Sequence, residues 1–370
     1  MGKATCTAVL LIFLIGILPY PAKADSVMDD IVQSSRIINV HEHIQHEANV
    51  PELLEVMDKM GIQKTILVGS SWFTLRLYES VGFTKIDENN RAILDIAKKY
   101  PQRFEAWPTL DPNDMTHLDK IKDLIKEGAT GVKLYVGHGY QKRRDGSYMF
   151  HSMAMDDPIL APLFAWCQEN FIPMNLHVNS DKPGFAQEFI AVMTRFPNLK
   201  INCPHWMLST IKDSRLREYL DTFPNLYADI SFGHDEFLID GVKRISVRRT
   251  SFKRILEEYP TRFFFGTDFV YTDFVNRNVD WAGPRIQVYY DMLSQNTYTI
   301  PGVAGELNGL ALPKPILENI LYKNYKAFIA ARPTDTTITE KVDWSRMRIR
   351  PMDRTPGQTY PPPPQYRRRR

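Results

Sequence analysis

Eight short β-type runs alternate with amphipathic helical runs over roughly 240 residues, histidines gather at the C-terminal ends of those runs, and no glycine-rich phosphate fingerprint follows any of them. Together these observations predict an α/β protein built as a closed (β/α)8 TIM barrel with extra C-terminal helices. The rival architecture, a doubly wound open sheet, would be expected to carry the missing fingerprint. At 370 residues the chain is long enough to bury a barrel-sized core.

The elements follow in chain order. Ile37 to Val40 opens the barrel, and a helix from about Pro51 to Met60 carries Leu53, Leu54, Met57 and Met60 on one stripe, with Gly61 as its stop. "KTILVGS" (Lys64 to Ser70) precedes a helix near Glu88 to Lys99, and "RFEAWPTL" (Arg103 to Leu110) precedes one carrying Leu118, Ile121, Leu124 and Ile125, ended by Gly128. "GVKLYVG" (Gly131 to Gly137) leads to a helix near Pro158 to Asn170, "IPMNLHVN" (Ile172 to Asn179) to one around Gly184 to Arg195, and "KINCPHW" (Lys200 to Trp206) to one around Thr210 to Leu220. "LYADIS" (Leu226 to Ser231), a basic helix to Glu258 and "RFFFGTD" (Arg262 to Asp268) complete the barrel. Helical stretches near Arg285 to Ser294 and Lys314 to Ala330 close it.

The ends have a different character. In residues 1–24, Lys3 precedes an apolar run from Ala8 to Leu18, Pro19 breaks it, and Ala22-Lys23-Ala24 is an A-x-A cleavage site. That is the pattern of a cleavable secretory signal, too short for a permanent membrane span, so the expectation is an exported protein, periplasmic or extracellular, without stable membrane insertion. The barrel domain is placed at 25–333. Residues 334–370, ending "PPPPQYRRRR", read as a disordered or extended Pro/Arg-rich tail. The formal net charge is +3 and much of the basic excess sits in that tail, so nothing argues for a nucleic-acid partner. Cys167 and Cys203, both in apolar contexts, are read as buried free thiols.

"IINVHEH" poses the functional question. In a strand, His41 and His43 point to one face and Glu42 to the other. A lone pair of this kind would be an ordinary coincidence, but the remaining strands answer it. His177 lies near the end of strand five, His205 ends strand six and Asp268 ends strand eight, while Lys133 lies in strand four with His138 just beyond it. A closed parallel barrel brings all strand C-termini to one rim; with roughly three positions counted at each of eight ends, chance would place fewer than one of the nine histidines there. Neutral imidazoles and a carboxylate suit zinc or a similar divalent ion, with one position left open for water, and three histidines plus Asp268 form such a set. The ion would bring the pKa of that water to about 7 and make it a nucleophile at a carbonyl centre. Asp268 could take its proton, and His205, if it stays off the ion, is placed to polarise a carbonyl or shuttle a proton.

In this order the fragments "NVHEHI", "PTLDP", "GVKLY", "NLHVN", "CPHWM", "LYADIS", "FFFGTD" and "ILYKNYKAFI" resemble the metal-dependent amidohydrolase superfamily, in the amidohydrolase-related branch that also contains aminocarboxymuconate semialdehyde decarboxylase. The resemblance runs from about Ile37 to Ile329. It implies that His41, His43, His177 and Asp268 bind the metal and that His205 acts beside it as a catalytic residue together with Asp268. Two positions depart from the pattern. Phe269-Val270 follows "GTD" where the branch usually carries an aromatic residue and a proline. Lys133 matches the lysine that binuclear relatives carboxylate to bridge two metals, a role that requires carbamylation; one ion per chain is the preferred reading, with Lys133 and His138 as second-metal or substrate-binding candidates.

The expected activity is hydrolysis of a small molecule at an ester, lactone or amide carbonyl through a metal-activated water. The alternative is non-oxidative decarboxylation of a small carboxylic acid, and a third reading is a ligand-binding barrel without turnover. A homo-oligomer is left open. Glu42 is expected to make structural bonds outside the lumen. His46, His138 and His234 are placed in rim loops, His117 and His151 are read as solvated, and Trp72, Phe73, Tyr135 and Tyr140 are candidates to line an apolar pocket.

Overall fold

Short strands, most of them buried on both faces, form the barrel in the computed structural model, which describes residues 27–75, 84–136, 153–179, 183–207, 213–233 and 235–331. Residues 1–24, the 334–370 tail, His138, Tyr140, His151 and His234 lie outside the described residues. The strands are β1 Ile37–Ile44, β2 Ile62–Val68, β3 Phe104–Trp107, β4 Val132–Leu134, β5 Met174–Leu176, β6 Ile201–Cys203, β7 Leu226–Asp229, β8 Phe263–Phe264 and β9 Phe269–Tyr271. All eight positions of β1 are buried, as a strand between a filled lumen and a helical layer requires.

The strands form two parallel arcs, β3-β2-β1-β9 and β4-β5-β6-β7-β8. Both seams are closed by backbone contacts. Thr109 bridges Lys133 in parallel and the Lys133 N–H donates to the Pro108 carbonyl at 2.8 Å. On the other side, Val40 N–H donates to Phe265 O at 2.9 Å and Asp268 N–H to His41 O at 2.8 Å. Of the strand expected from Arg262 to Asp268 only Phe263–Phe264 is extended, and a further short strand, β9, follows beyond Asp268. Asp268, at φ +60°, turns the chain between β8 and β9, which lays Phe269 and Val270 beside Glu42 and His43.

Helices lie near their expected places, among them Val50–Lys59, Ile86–Lys99, His117–Lys126, Ala161–Glu169 and Pro183–Arg195. The helix expected from Thr210 is described from Asp213 to Thr222, and the basic helix divides into Asp235–Val247 and Arg249–Glu258. Val27–Gln33, not foreseen, packs so closely that a Cβ on Gly61 would lie 2.3 Å from the Val32 carbonyl oxygen. Gly61, at φ +69°, both ends its helix and admits that contact. Val279–Ser294 is followed by a small hairpin, Thr297–Tyr298 with Leu307–Asn308. The C-terminal helices Lys314–Glu318, Asn319–Lys323 and Asn324–Ala330 come last, and the Ile320 carbonyl accepts from Phe265 N–H at 2.9 Å. Cys167 and Cys203 are buried and unbridged. His117 is also buried, against expectation, because its Nδ1–H donates to the Asp114 carbonyl at 2.7 Å and closes the turn before its helix.

Candidate metal centre

The centre begins with an irregularity in β1. Asn39 pairs with Thr65 and Glu42 with Leu67, so β1 spends one residue more than β2 over this stretch, which is a bulge. The bulge takes the His41 N–H out of the ladder, and Asn39 Oδ1 accepts it at 3.2 Å, along with the Thr267 N–H at 3.2 Å. Glu42 turns away from the site as expected: Asn39 Nδ2 donates to it at 2.7 Å and Thr267 Oγ1 also donates to it. Burial raises the Glu42 carboxyl well above its usual range.

His41 and His43 then aim the same edge of their rings at one carboxylate. Asp268 Oδ1 lies 3.1 Å from His41 Nε2 and 2.8 Å from His43 Nε2. These three residues offer ligand atoms all within 4.8 Å of one another, the spacing a single ion needs. The opposite ring nitrogens are held from behind. His43 Nδ1 meets Ser70 Oγ at 2.6 Å, and His41 Nδ1 meets Asp229 Oδ2 at 3.3 Å and Ser231 Oγ at 3.4 Å. Burial pushes the His41 imidazolium down to about 4, so the ring is neutral at pH 7. Asp229 is an acceptor only, so the one proton of His41 sits on Nδ1 and the Nε2 lone pair faces the Asp268 oxygen. Acceptor against acceptor at 3.1 Å is repulsive, and a cation between them turns it into coordination. The donor set fits a divalent ion.

Room for the carboxylate is made by Gly233, at φ +70°: a Cβ there would lie 2.4 Å from Asp268 Oδ2. Burial works against the Asp268 charge, but His205 nearby and the hydrogen bond from His43 outweigh it and hold the carboxyl below the usual carboxylate range.

His205 approaches from the other side. It follows β6 in a left-handed turn, with φ +59°, +55° and +56° at His205, Trp206 and Met207. Side chains other than glycine pay for that conformation with local strain, and such strain clusters at functional sites. Asp229 Oδ1 accepts the His205 N–H at 3.2 Å. The ring stands with Nδ1 3.0 Å from Ser231 Oγ and Nε2 3.6 Å from Asp268 Oδ2. His177 is not in the tight three-residue set; its ring centroid is 4.8 Å from that of His205 and it stacks on Tyr135 at 6.3 Å.

Lys133, fully buried, is an amine in the lumen floor. Its Nζ donates to Asn175 Oδ1 at 2.8 Å, lies 3.4 Å from His41 Nε2 and sits over the Tyr135 ring at 4.7 Å. Burial pushes its ammonium down to about 8. Sequence reasoning missed Ser70, Asn175, Asn202, Asp229 and Ser231. The signal was present for two of them: in "LYADIS", Asp229 and Ser231 share the strand parity that would turn both toward the lumen.

A family model described as amidohydrolase matches residues 78–324. No curated protein sequence matches the chain. Among solved structures, an uncharacterized TIM-barrel protein from Bordetella bronchiseptica is 17% identical, over 80% of this chain and 98% of that one, with a TM-score of 0.51. A 2,6-dihydroxybenzoate decarboxylase from Rhizobium is 16% identical over 80% and 98%, with a TM-score of 0.49. A dihydroxybenzoic acid decarboxylase from Polaromonas sp. JS666, with bound manganese and the inhibitor 2-nitroresorcinol, is 18% identical over 80% and 96%, with a TM-score of 0.47. At these identities the likeness concerns the fold.

Proposed function

This chain belongs to the amidohydrolase family, and on that premise we propose that it is a metal-dependent carboxy-lyase, removing CO2 without oxidation from a small carboxylic acid whose carboxylate is attached to a planar ring or enol. The observation that carries the reading is the place of Lys133, a buried ammonium 3.4 Å from the ion-facing nitrogen of His41. A buried ammonium beside a cation site is suited to an anionic substrate and costly without one. His41, His43 and Asp268, with His177 completing the shell, would hold a zinc-like or manganese-like ion. When bound, that ion would draw the carboxylate and withdraw electron density from it.

The remaining steps belong to the chain's own side chains. Lys133 pairs with the carboxylate. Tyr135, stacked on His177, offers a flat wall for the ring. His205, with Nδ1 held against Ser231, carries a proton at Nε2 in its protonated form and gives it to the ring carbon as the bond to CO2 breaks and its electron pair stays on that carbon. Hydrolysis at an ester, lactone or amide carbonyl is the second reading, favoured by the 21% exposure of the Asp268 side chain beside nearly buried histidines, which leaves its carboxylate open to a water.

The same account takes the chain as exported and processed before Asp25, acting on a small molecule. The test is a panel of ring-bearing carboxylic acids, esters and lactones, given to protein loaded with zinc or manganese. Stoichiometric CO2 with the decarboxylated ring supports the first reading; turnover of esters or lactones with no CO2 from any acid refutes it in favour of the second.

A further inference from the structure

Asp229 has more partners than any strand needs. It is fully buried at the end of β7, and both oxygens are committed. Oδ1 accepts from His205 N–H at 3.2 Å, Ser231 N–H at 3.1 Å and Ser231 Oγ at 2.5 Å. Oδ2 accepts from Asn202 Nδ2 at 2.9 Å and faces His41 Nδ1 at 3.3 Å. With its hydroxyl hydrogen given to Asp229, Ser231 Oγ can only accept from the two ring nitrogens beside it, His205 Nδ1 at 3.0 Å and His41 Nδ1 at 3.4 Å. One carboxylate therefore has a hand in both histidines and in the left-handed turn that presents the second.

We infer that Asp229 is the positioning residue of this centre: it fixes His41 in the Nδ1–H tautomer, so that Nε2 is free for an ion, and through the same group pins the backbone of His205. The inference rests on the metal-centre reading above. It turns on hydrogen-bond polarity. Every partner of Asp229 is a donor, so an asparagine amide there would set an N–H against donors on one side or the other. The cheap escape is on the Oδ2 side. The buried Asn202 Oδ1 has no hydrogen-bond partner, and an amide flip would offer it to the new N–H2. The introduced amide would then donate to His41 Nδ1, which becomes an acceptor, and the ring proton moves to Nε2, the ion-facing atom. Partners of this kind, behind a metal-ligating histidine, alter metal affinity by about 10–100-fold when removed.

The experiment uses the full mature chain and Asp229→Asn, with zinc as the probe. Histidine 15N shifts in the ion-free wild type should show His41 protonated at Nδ1; protonation at Nε2 there overturns the inference whatever the variant does. In Asp229→Asn the proton should move to Nε2, and zinc affinity in competition with a chromogenic chelator should fall about 10–100-fold. Zinc binding and a His41 tautomer both unchanged in Asp229→Asn would make Asp229 a structural residue and overturn the inference. A wild type that binds no zinc, with His41 still protonated at Nδ1, would instead sink the metal-centre reading and leave the tautomer assignment standing.

Discussion

Gly233→Ala is the sharpest perturbation of the centre, because it adds one methyl group and no charge. The new Cβ would fall 2.4 Å from Asp268 Oδ2 and 3.2 Å from its Cγ, against an ordinary contact of 3.4 Å or more. Either the carboxylate or the backbone of residue 233 must give by about 1 Å. The backbone is poorly placed to do so. Gly233 sits at φ +70° with its N–H donated to the Thr267 carbonyl at 3.0 Å, and an L side chain at that φ costs about 1–2 kcal/mol. The expected loss of melting temperature is roughly 2–8 °C. The site should lose more, since Asp268 holds its place against His41 at 3.1 Å and His43 at 2.8 Å, and a misplacement of about 1 Å costs on the order of a hundredfold in turnover. The assay is paired: a thermal melt, and zinc content and turnover at about 25 °C on the same preparation. Wild-type zinc content and turnover in a variant that melts lower would show that Asp268 is not confined as described, and the reasoning would fail.

Three further outcomes are expected. His205→Asn should keep nearly all its metal while turnover falls on the order of a hundredfold or more, as for loss of a general acid; metal loss as complete as in His177→Asn would make His205 a ligand. Lys133→Met should leave one ion per chain and raise KM for the carboxylic acid by about 10–100-fold, the worth of a charged hydrogen bond; two ions in the wild type, one of them lost in Lys133→Met, would establish the carbamylated bridge instead. The metal-free protein should lose stability as pH falls from about 6.5 to about 4. There the unfolded chain protonates His41 and the native chain, with that ring pushed down to about 4, does not, for up to about 3 kcal/mol. Denaturant midpoints that fall no faster across that window than those of His41→Gln would contradict it.

The barrel was legible because its cues are local and repeated. Short continuous apolar runs such as "KTILVGS" and stripes such as Leu53, Leu54 and Met57 each carry their own signal, and the rhythm of the pairs selects the topology. His41, His43 and Asp268 were legible for the same reason, since strand ends converge on one rim and only the order of elements is needed to see it. What escaped were features made by tertiary contact. The bulge after Asn39 and the extra strand beyond Asp268 accompany contacts between segments far apart in sequence, Thr267 N–H to Asn39 Oδ1 and Asp268 N–H to the His41 carbonyl, that no window of sequence displays. Asp229 and Ser231 looked like ordinary strand residues until β6 and β1 were set beside them. Gly233 lay in a loop whose purpose is visible only from the Asp268 side chain it admits.

Direct location of the ion bears most closely on the whole account. Crystals of the mature chain grown with zinc or manganese, with diffraction recorded on both sides of that metal's absorption edge, should show one strong anomalous peak within about 2.0–2.3 Å of His41 Nε2, His43 Nε2 and Asp268 Oδ1. At saturating metal, a centre with no peak, or with its peak away from these three atoms, would contradict it.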